Sequence, residues 1–205
     1  MIPTSSAPSA AYARHRQPQA RKRAHVRVLI VDDHPAVRLG MRALIDDQPD
    51  MHVVAQVRSV SEALGVLDTP MDVAVVDYHL RDGRDGLALV AQIRQRRSAP
   101  RTLVYSAFAD GALAAMAVIA GADGMLGKHE LGDELCDAIR RVARGQRHLP
   151  AIAPPLADAM RARLEPSDQA IFGMLLHGVA PATIAERLAM TPQQLATRRA
   201  EMLPH

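Results

Sequence analysis

The chain has 205 residues, enough for one large domain or two small ones. Apolar residues make up 48% and charged residues 23%, the ordinary balance of a soluble globular chain. One cysteine, Cys136, excludes an internal disulfide framework and fits a reducing cytosol. No apolar run approaches the roughly 20 residues that span a bilayer. A cytoplasmic protein without a membrane partner is therefore expected. With no tryptophan and only 2% aromatic residues, its cores must be built from Ala, Val, Leu, Ile and Met.

Charge divides the chain unevenly. Residues 1–25 carry +5 (Arg14, Arg16, Arg21, Lys22 and Arg23, with no acid), residues 26–157 carry −2, and residues 158–205 carry 0, which together make the net +3. The basic character thus sits in residues 1–25, which are expected to be a disordered tail. Its bland role is solubility and its sharper one an electrostatic arm for nucleic acid.

Strand-like and helix-like segments alternate from Val26 onward. A short apolar run ending at Asp32 is followed by Pro35 at a first helical turn, with Val37, Met41, Leu44 and Ile45 at helical spacing. A second run, Met51–Val57, precedes a helix over 59–67 capped by Ser59 or Ser61. A third, 71–77, ends at Asp77 and leads through a Gly- and Asp-rich loop over 78–86 to a helix over 87–97. Runs at 102–106 and 124–127 flank a small-residue helix over 110–120, and an amphipathic helix over 131–144 follows. Five strands alternating with five helices predict an α/β fold, a doubly wound five-stranded parallel sheet covered on both faces. Cys136 falls near the inward stripe of the last helix, as a structural residue. Arg140, Arg141, Arg144 and Arg147 read as a solvated helix end.

Beyond residue 145 the texture changes. Pro150, Pro154 and Pro155 mark a linker with a short helix over 156–164. Three short helices are then predicted over 167–177, 181–188 and 191–203, the first capped by Ser167 and the last by Thr191 with Pro192 in its first turn. Short helices joined by tight turns make a small all-α helix-turn-helix unit. The expected divisions are a tail over 1–25, an α/β domain over 26–146, a linker over 147–163 and a helix-turn-helix domain over 164–205.

The chemistry gathers at strand ends. Asp32 and Asp33 follow one buried run and Asp77 ends another, and adjacent buried carboxylates are costly without a positive partner. Ser106 and Lys128 fall at the ends of two further runs. In a parallel sheet such positions share one edge, so these residues form a candidate divalent-cation site acting on a phosphoryl group, with Lys128 as the remaining cation. His34 and His79 read as solvated loop residues, since a hard cation already has oxygen ligands.

The segments VRVLIVDDHPAVRLGMRALI, VAVVDYHLRDGRDGLALV, TLVYSA and GADGMLGK together resemble, in order and spacing, the receiver domain of two-component response regulators. The segments AIRRVARGQRHLP and LEPSDQAIFGMLLHGVAPATIAERLAMTPQQLATRRAEML resemble the linker and helix-turn-helix of the LuxR/NarL-type output. The resemblance implies a flavodoxin-like receiver with Asp77 as phosphoacceptor. Asp32, Asp33, Asp77 and the backbone carbonyl of His79 would be Mg²⁺ ligands, and Ser106 and Lys128 phosphoryl-binding residues. It implies a sensor histidine kinase as phosphodonor, DNA as output target, a homodimer as an available assembly, and no enzyme activity on an external substrate. Gln193, Gln194, Thr197, Arg198 and Arg199 would face DNA.

Three departures accompany the resemblance. Met125 stands where the family places an aromatic switch residue, Ala196 replaces a basic phosphate contact, and Glu201 adds an acid to the face meant for DNA. They leave a second reading open: a phosphorylatable adaptor whose C-terminal helices bind a protein partner and not DNA.

Overall fold

A computed structural model of the protein describes residues 25–80, 86–130 and 132–203. The expected basic tail, save His25, part of the loop after Asp77, and Leu131 lie outside the described residues. The first ten elements are β1 (Val26–Val31), α1 (Pro35–Asp46), β2 (Met51–Val57), α2 (Val60–Val66), β3 (Val73–Asp77), α3 (Gly86–Arg94), β4 (Arg101–Ser106), α4 (Gly111–Ala120), β5 (Gly124–Gly127) and α5 (Asp133–Ala143). Four helices follow: α6 (Pro154–Arg161), α7 (Pro166–Leu176), α8 (Pro181–Arg187) and α9 (Pro192–Glu201). The sheet is parallel with order β2-β1-β3-β4-β5, the doubly wound arrangement expected from the alternation.

Side-chain alternation along the strands builds a core on each face. Leu29, Val31, Ala74, Val76 and Val104 pack with α2, α3 and α4, while Val28, Ile30, Val73, Val75 and Leu103 pack with α5 and with Met41 and Ile45 of α1. Every residue of β3 is buried, as a strand covered on both faces requires. Cys136 is buried, and burial pushes its thiol pKa up, as suits an inert core residue. Arg140 departs from the solvated role expected of it. It donates to both Asp50 carboxylate oxygens at 2.9 Å and to Gln48 at 2.6 Å, tying α5 to the turn before β2.

Local signals set the helix ends. Ser59 caps α2 by accepting from the Glu62 N–H, and Thr191 and Gln194 form a capping box at α9. Ser167 is not a cap. Pro166 occupies the first turn of α7, where its fixed φ suits a helix start, and the cap moves back to Glu165. Pro154 and Pro155 likewise open α6 instead of ending a linker.

The segment before α6 covers the β5 edge: His148 bridges Gly124 and accepts from the Met125 N–H at 2.7 Å. The C-terminal helices then pack on α3 and α4. Phe172 and Leu203 join the core on that face, and Val118 of α4 packs with Ile171, Leu175, Ile184 and Leu195. Among the described residues, no helix is long and apolar enough to cross a membrane.

Candidate functional site

Strand register brings the candidate residues together. Val31 pairs with Val76, so Asp32 and Asp77 are the next residues on neighbouring strands. Asp77 pairs with Tyr105, and Ser106 pairs with Gly127, one residue before Lys128. All lie along the carboxyl edge of the sheet, beside the β1/β3 crevice where the strand order reverses.

The electrostatics are those of a concentrated anionic site. Asp32 and Asp77 are buried, at 0% and 2% exposure. Lys128 Nζ donates to Asp77 Oδ2 at 2.7 Å and to Asp32 Oδ2 at 3.0 Å, and sits 5.7 Å from the Tyr105 ring centroid. Burial pushes the Asp77 carboxyl pKa up and the charge of Asp32 adds to it, against the Lys128 bond. Burial alone would lower Lys128, but its bonds and charge attraction to Asp77 and Asp32 outweigh that and raise it, so it stays an ammonium.

Ligand atoms of Asp32, Asp33, His34 and Asp77 all lie within 4.8 Å of one another, a group that could hold a metal ion. Asp32, Asp33 and Asp77 bring three carboxylates beside the Lys128 ammonium, and three of the four candidate donors are hard oxygens. Both facts fit a divalent cation of the Mg²⁺ type. His34 is exposed, as expected of a loop residue, and its Nδ1 lies 2.7 Å from Asp33 Oδ1. His79 is exposed, and its N–H donates to Asp77 Oδ1 at 3.2 Å.

Ser106 is buried and its hydroxyl is engaged in the next loop, accepting from the Phe108 N–H at 3.1 Å. The Phe108 ring itself is 71% exposed. Met125 is 2% exposed and packs with the α3/α4 face of the core.

Two structural requirements of the site escaped sequence reasoning. Gly86 begins α3 so close to β3 that a Cβ there would lie 2.1 Å from the Asp77 carbonyl oxygen. Arg38 of α1 donates to the Asp32 carbonyl at 2.6 Å, holding the turn that presents the acid pair. Its signal was the spacing of Arg38 six residues from Asp32, one turn into a helix that starts at Pro35.

The α9 residues separate into two sets. Gln193 and Thr197 are exposed. Gln194 is spent in the capping box, donating its N–H to Thr191 Oγ1 at 3.1 Å and accepting the Thr191 N–H at 2.7 Å. Arg198 pairs with Asp168 and Glu201 and donates to Ser167 at 2.9 Å. Arg199 departs furthest from a DNA-facing position. It is 6% exposed, and its Nε and Nη2 donate to the carbonyls of Ile119 at 2.8 Å and Val118 at 2.9 Å.

Those carbonyls belong to the last turn of α4, the negative end of its dipole, which favours a cation. The Asp123 N–H is given to Thr102, so Arg199 supplies the Ile119 carbonyl with a donor. Burial, then the charges of Arg94 and Arg147, push Arg199 down to about 10, which still leaves it charged at neutral pH. Gly121 makes the contact feasible: its φ of 100° ends α4, and a Cβ there would lie 2.7 Å from Arg199 Nη2.

Residues 28–140 match the family of the response regulator receiver domain. The chain is 34% identical to the transcriptional regulatory protein UhpA of Salmonella typhimurium over 87% of this chain and 90% of that protein. It is 31% identical to the DNA-binding transcriptional activator DevR/DosR of Mycobacterium tuberculosis over 80% of each. A solved LuxR-family two-component response regulator from Aurantimonas sp. superposes with a TM-score of 0.58 at 34% identity, covering 66% of this chain and 94% of that one. An RcsB–DNA complex has a TM-score of 0.58 at 18% identity over 88% of this chain and 94% of that one, a likeness of fold.

Proposed function

This chain belongs to the two-component response regulators that join a receiver domain to a LuxR/NarL-type output domain, and on that premise we propose that Asp77 accepts a phosphoryl group from a sensor histidine kinase to control DNA binding by the C-terminal helices. The observation that carries the reading is the convergence of Asp32, Asp33, Asp77 and Lys128 on one sheet edge.

An Asp77 carboxylate oxygen attacks phosphorus as the P–N bond of the kinase phosphohistidine breaks. The electron pair of that bond stays on the imidazole nitrogen. Both reactants are anionic, so the barrier falls with the positive charge already in place. Lys128 supplies one such charge, held against Asp77 before the donor arrives. Asp32, Asp33, Asp77 and the His79 backbone carbonyl would hold Mg²⁺, which when bound neutralises phosphoryl charge. After transfer, Ser106 exchanges its bond to the Phe108 backbone for one to a phosphoryl oxygen, and Lys128 follows the new charge.

In the output region, Gln193 and Thr197 are available to DNA as α9 stands, while Gln194, Arg198 and Arg199 are engaged within the chain. DNA recognition by Arg199 therefore requires α9 to leave α4, and recognition by Arg198 requires it to give up Asp168 and Ser167 of α7. The engaged arginines also favour the second reading, the adaptor whose helices bind a protein partner.

Phosphotransfer to wild type and to Asp77→Asn tests the input: label retained by the variant removes Asp77 from its role. A mobility shift at low salt, on random and own-promoter DNA, tests the output. Binding that strengthens on phosphorylation supports transcription control. No binding in either state leaves the adaptor.

A further inference from the structure

A cavity of about 540 Å³ lies on the seam between α4, the segment before α6, α6 and the end of α7. That volume is in the range of small-molecule sites, roughly 300–1,000 Å³. Val118, Leu149 and Leu176 give it apolar walls, and Arg147, Arg161, His177 and Asp158 give it polar ones.

Its charge is net positive, with Arg147 and Arg161 against Asp158. Among the described residues the buried Arg161 Nε has no hydrogen-bond partner, and the charge contact of the guanidinium, Asp158, stands 3.7 Å away. Packing holds it: a Cβ on Gly173 would lie 3.3 Å from Arg161 Nη2, so α7 presents bare backbone to the guanidinium. Arg147 spends one nitrogen on the Leu175 carbonyl at 2.9 Å and His177 spends Nδ1 on the Gly173 carbonyl at 2.8 Å, leaving each a further ring or guanidinium nitrogen. Along the seam the charges of Arg94 and Arg147 bear on Arg199, offset by Asp123, which pairs with Arg94 at 3.6 Å. A preformed cavity with apolar walls, an arginine whose buried Nε lacks a partner and a second arginine with donors to spare is complementary to an anion with an apolar body.

The walls come from both parts of the chain, so the cavity exists only while α6 and α7 lie against α4. Whatever fills it binds the docked arrangement alone and shifts the chain toward it. Val118 belongs to both features, lining the cavity and offering its carbonyl to Arg199.

We propose that the seam cavity binds a small amphipathic organic anion, one carboxylate or phosphate group on an apolar body, and that its occupancy holds the C-terminal helices on the receiver. Binding itself is independent of the output reading. The consequence, a ligand that opposes DNA binding, rests on it.

The test titrates the full chain with octanoate, using acetate as an anion without an apolar body and 1-heptanol as an apolar body without charge. Saturable one-to-one binding of octanoate is expected, with both comparators at least tenfold weaker. Arg161→Gln should weaken octanoate at least tenfold, and so should Ala157→Phe, which fills the cavity from α6. Arg187→Gln, an exposed arginine on α8, should not. Amide exchange in α9 and the last turn of α4 should slow when octanoate is bound. Equal affinity in wild type, Arg161→Gln and Ala157→Phe overturns the site, as does absence of saturable binding. Binding without slower exchange overturns the coupling to docking. Weakened DNA affinity is measured separately, so failure of the DNA reading leaves the first two results standing.

Discussion

Replacing Arg199 with alanine should release α9 from the receiver. Two charge-assisted hydrogen bonds to the α4 carbonyls contribute roughly 3–6 kcal/mol together. Holding the cation there works against this: a fall from 12.5 to about 10 corresponds to about 3 kcal/mol of penalty on the charged form. The surplus, with the Ile119 carbonyl left without its donor, sets the expected loss at about 1–3 kcal/mol, or roughly 5- to 150-fold in the docking equilibrium. Arg199→Lys should fall between the two, because a point charge cannot span two carbonyls as a planar fork does. Amide exchange read along α9 and the end of α4 in the full chain measures the effect. An alanine variant with wild-type exchange in α9 and an unchanged melting temperature would refute the latch. If DNA affinity falls with no change in exchange, Arg199 is a DNA contact after all.

Three further outcomes follow from single residues. Gly86→Ala puts a Cβ against the Asp77 carbonyl, and should cost roughly 1–3 kcal/mol in urea unfolding and depress phosphotransfer; wild-type values for both would refute the close approach. Gly121→Ala adds a left-handed backbone cost of roughly 1–2 kcal/mol to a collision with Arg199, so its exchange in α9 should rise with that of Arg199→Ala; a loss of stability with α9 still protected would separate the two effects. Asp72 accepts three hydrogen bonds from Arg27, which hold its carboxyl pKa below the usual range. A depressed carboxyl contributes stability above its unfolded pKa and loses it as pH falls through the folded value, so Asp72→Asn should flatten the stability–pH slope below about pH 4. The effect should be small, roughly 0.2–1 kcal/mol, since the pair is solvent-exposed, and an unchanged slope would remove the pair from the acid response.

The sheet and its site were legible because both depend on local pattern. Four of the five apolar runs, ending at Asp32, Asp77, Ser106 and just before Lys128, need only parallel pairing to put those residues on one edge. The role of Gly86 was not legible, since nothing in its sequence neighbourhood reports how near α3 comes to β3. Arg199 is an intermediate case. Leu195 and Arg199 are four residues apart and share a helical face, and Leu195 is buried, so the arginine follows it inward while Gln193 and Thr197 share the opposite side. The spacing was readable. What the inward face would meet was not, because that depends on how the C-terminal helices rest on α4. Ser167 lost its capping role to a proline beside it for a similar reason, two local signals competing for one helix start.

Input and output meet on α4. Its first turn is capped by Asp110, which accepts the Leu113 N–H at 2.8 Å, two residues beyond the Phe108 backbone that engages Ser106. Its body is small and buried, with Ala114, Ala115 and Ala117 at 0% exposure, so it is packed to move as a unit. Its last turn holds Arg199. A rearrangement at Ser106 therefore has a short route to the latch, and the magnitudes bound what that route can achieve. Moving a two-state equilibrium from 1:99 to 99:1 takes about 5.5 kcal/mol. Release of Arg199 supplies about 1–3 kcal/mol, so phosphorylation acting through this contact alone grades the output and does not throw it. The remainder must come from whatever binds the freed helices, DNA or a second copy of the chain. A strong dependence of the phosphorylation response on DNA or protein concentration is then expected in the mobility shift, and a full response at the lowest concentrations would mean that contacts other than Arg199 carry the switch.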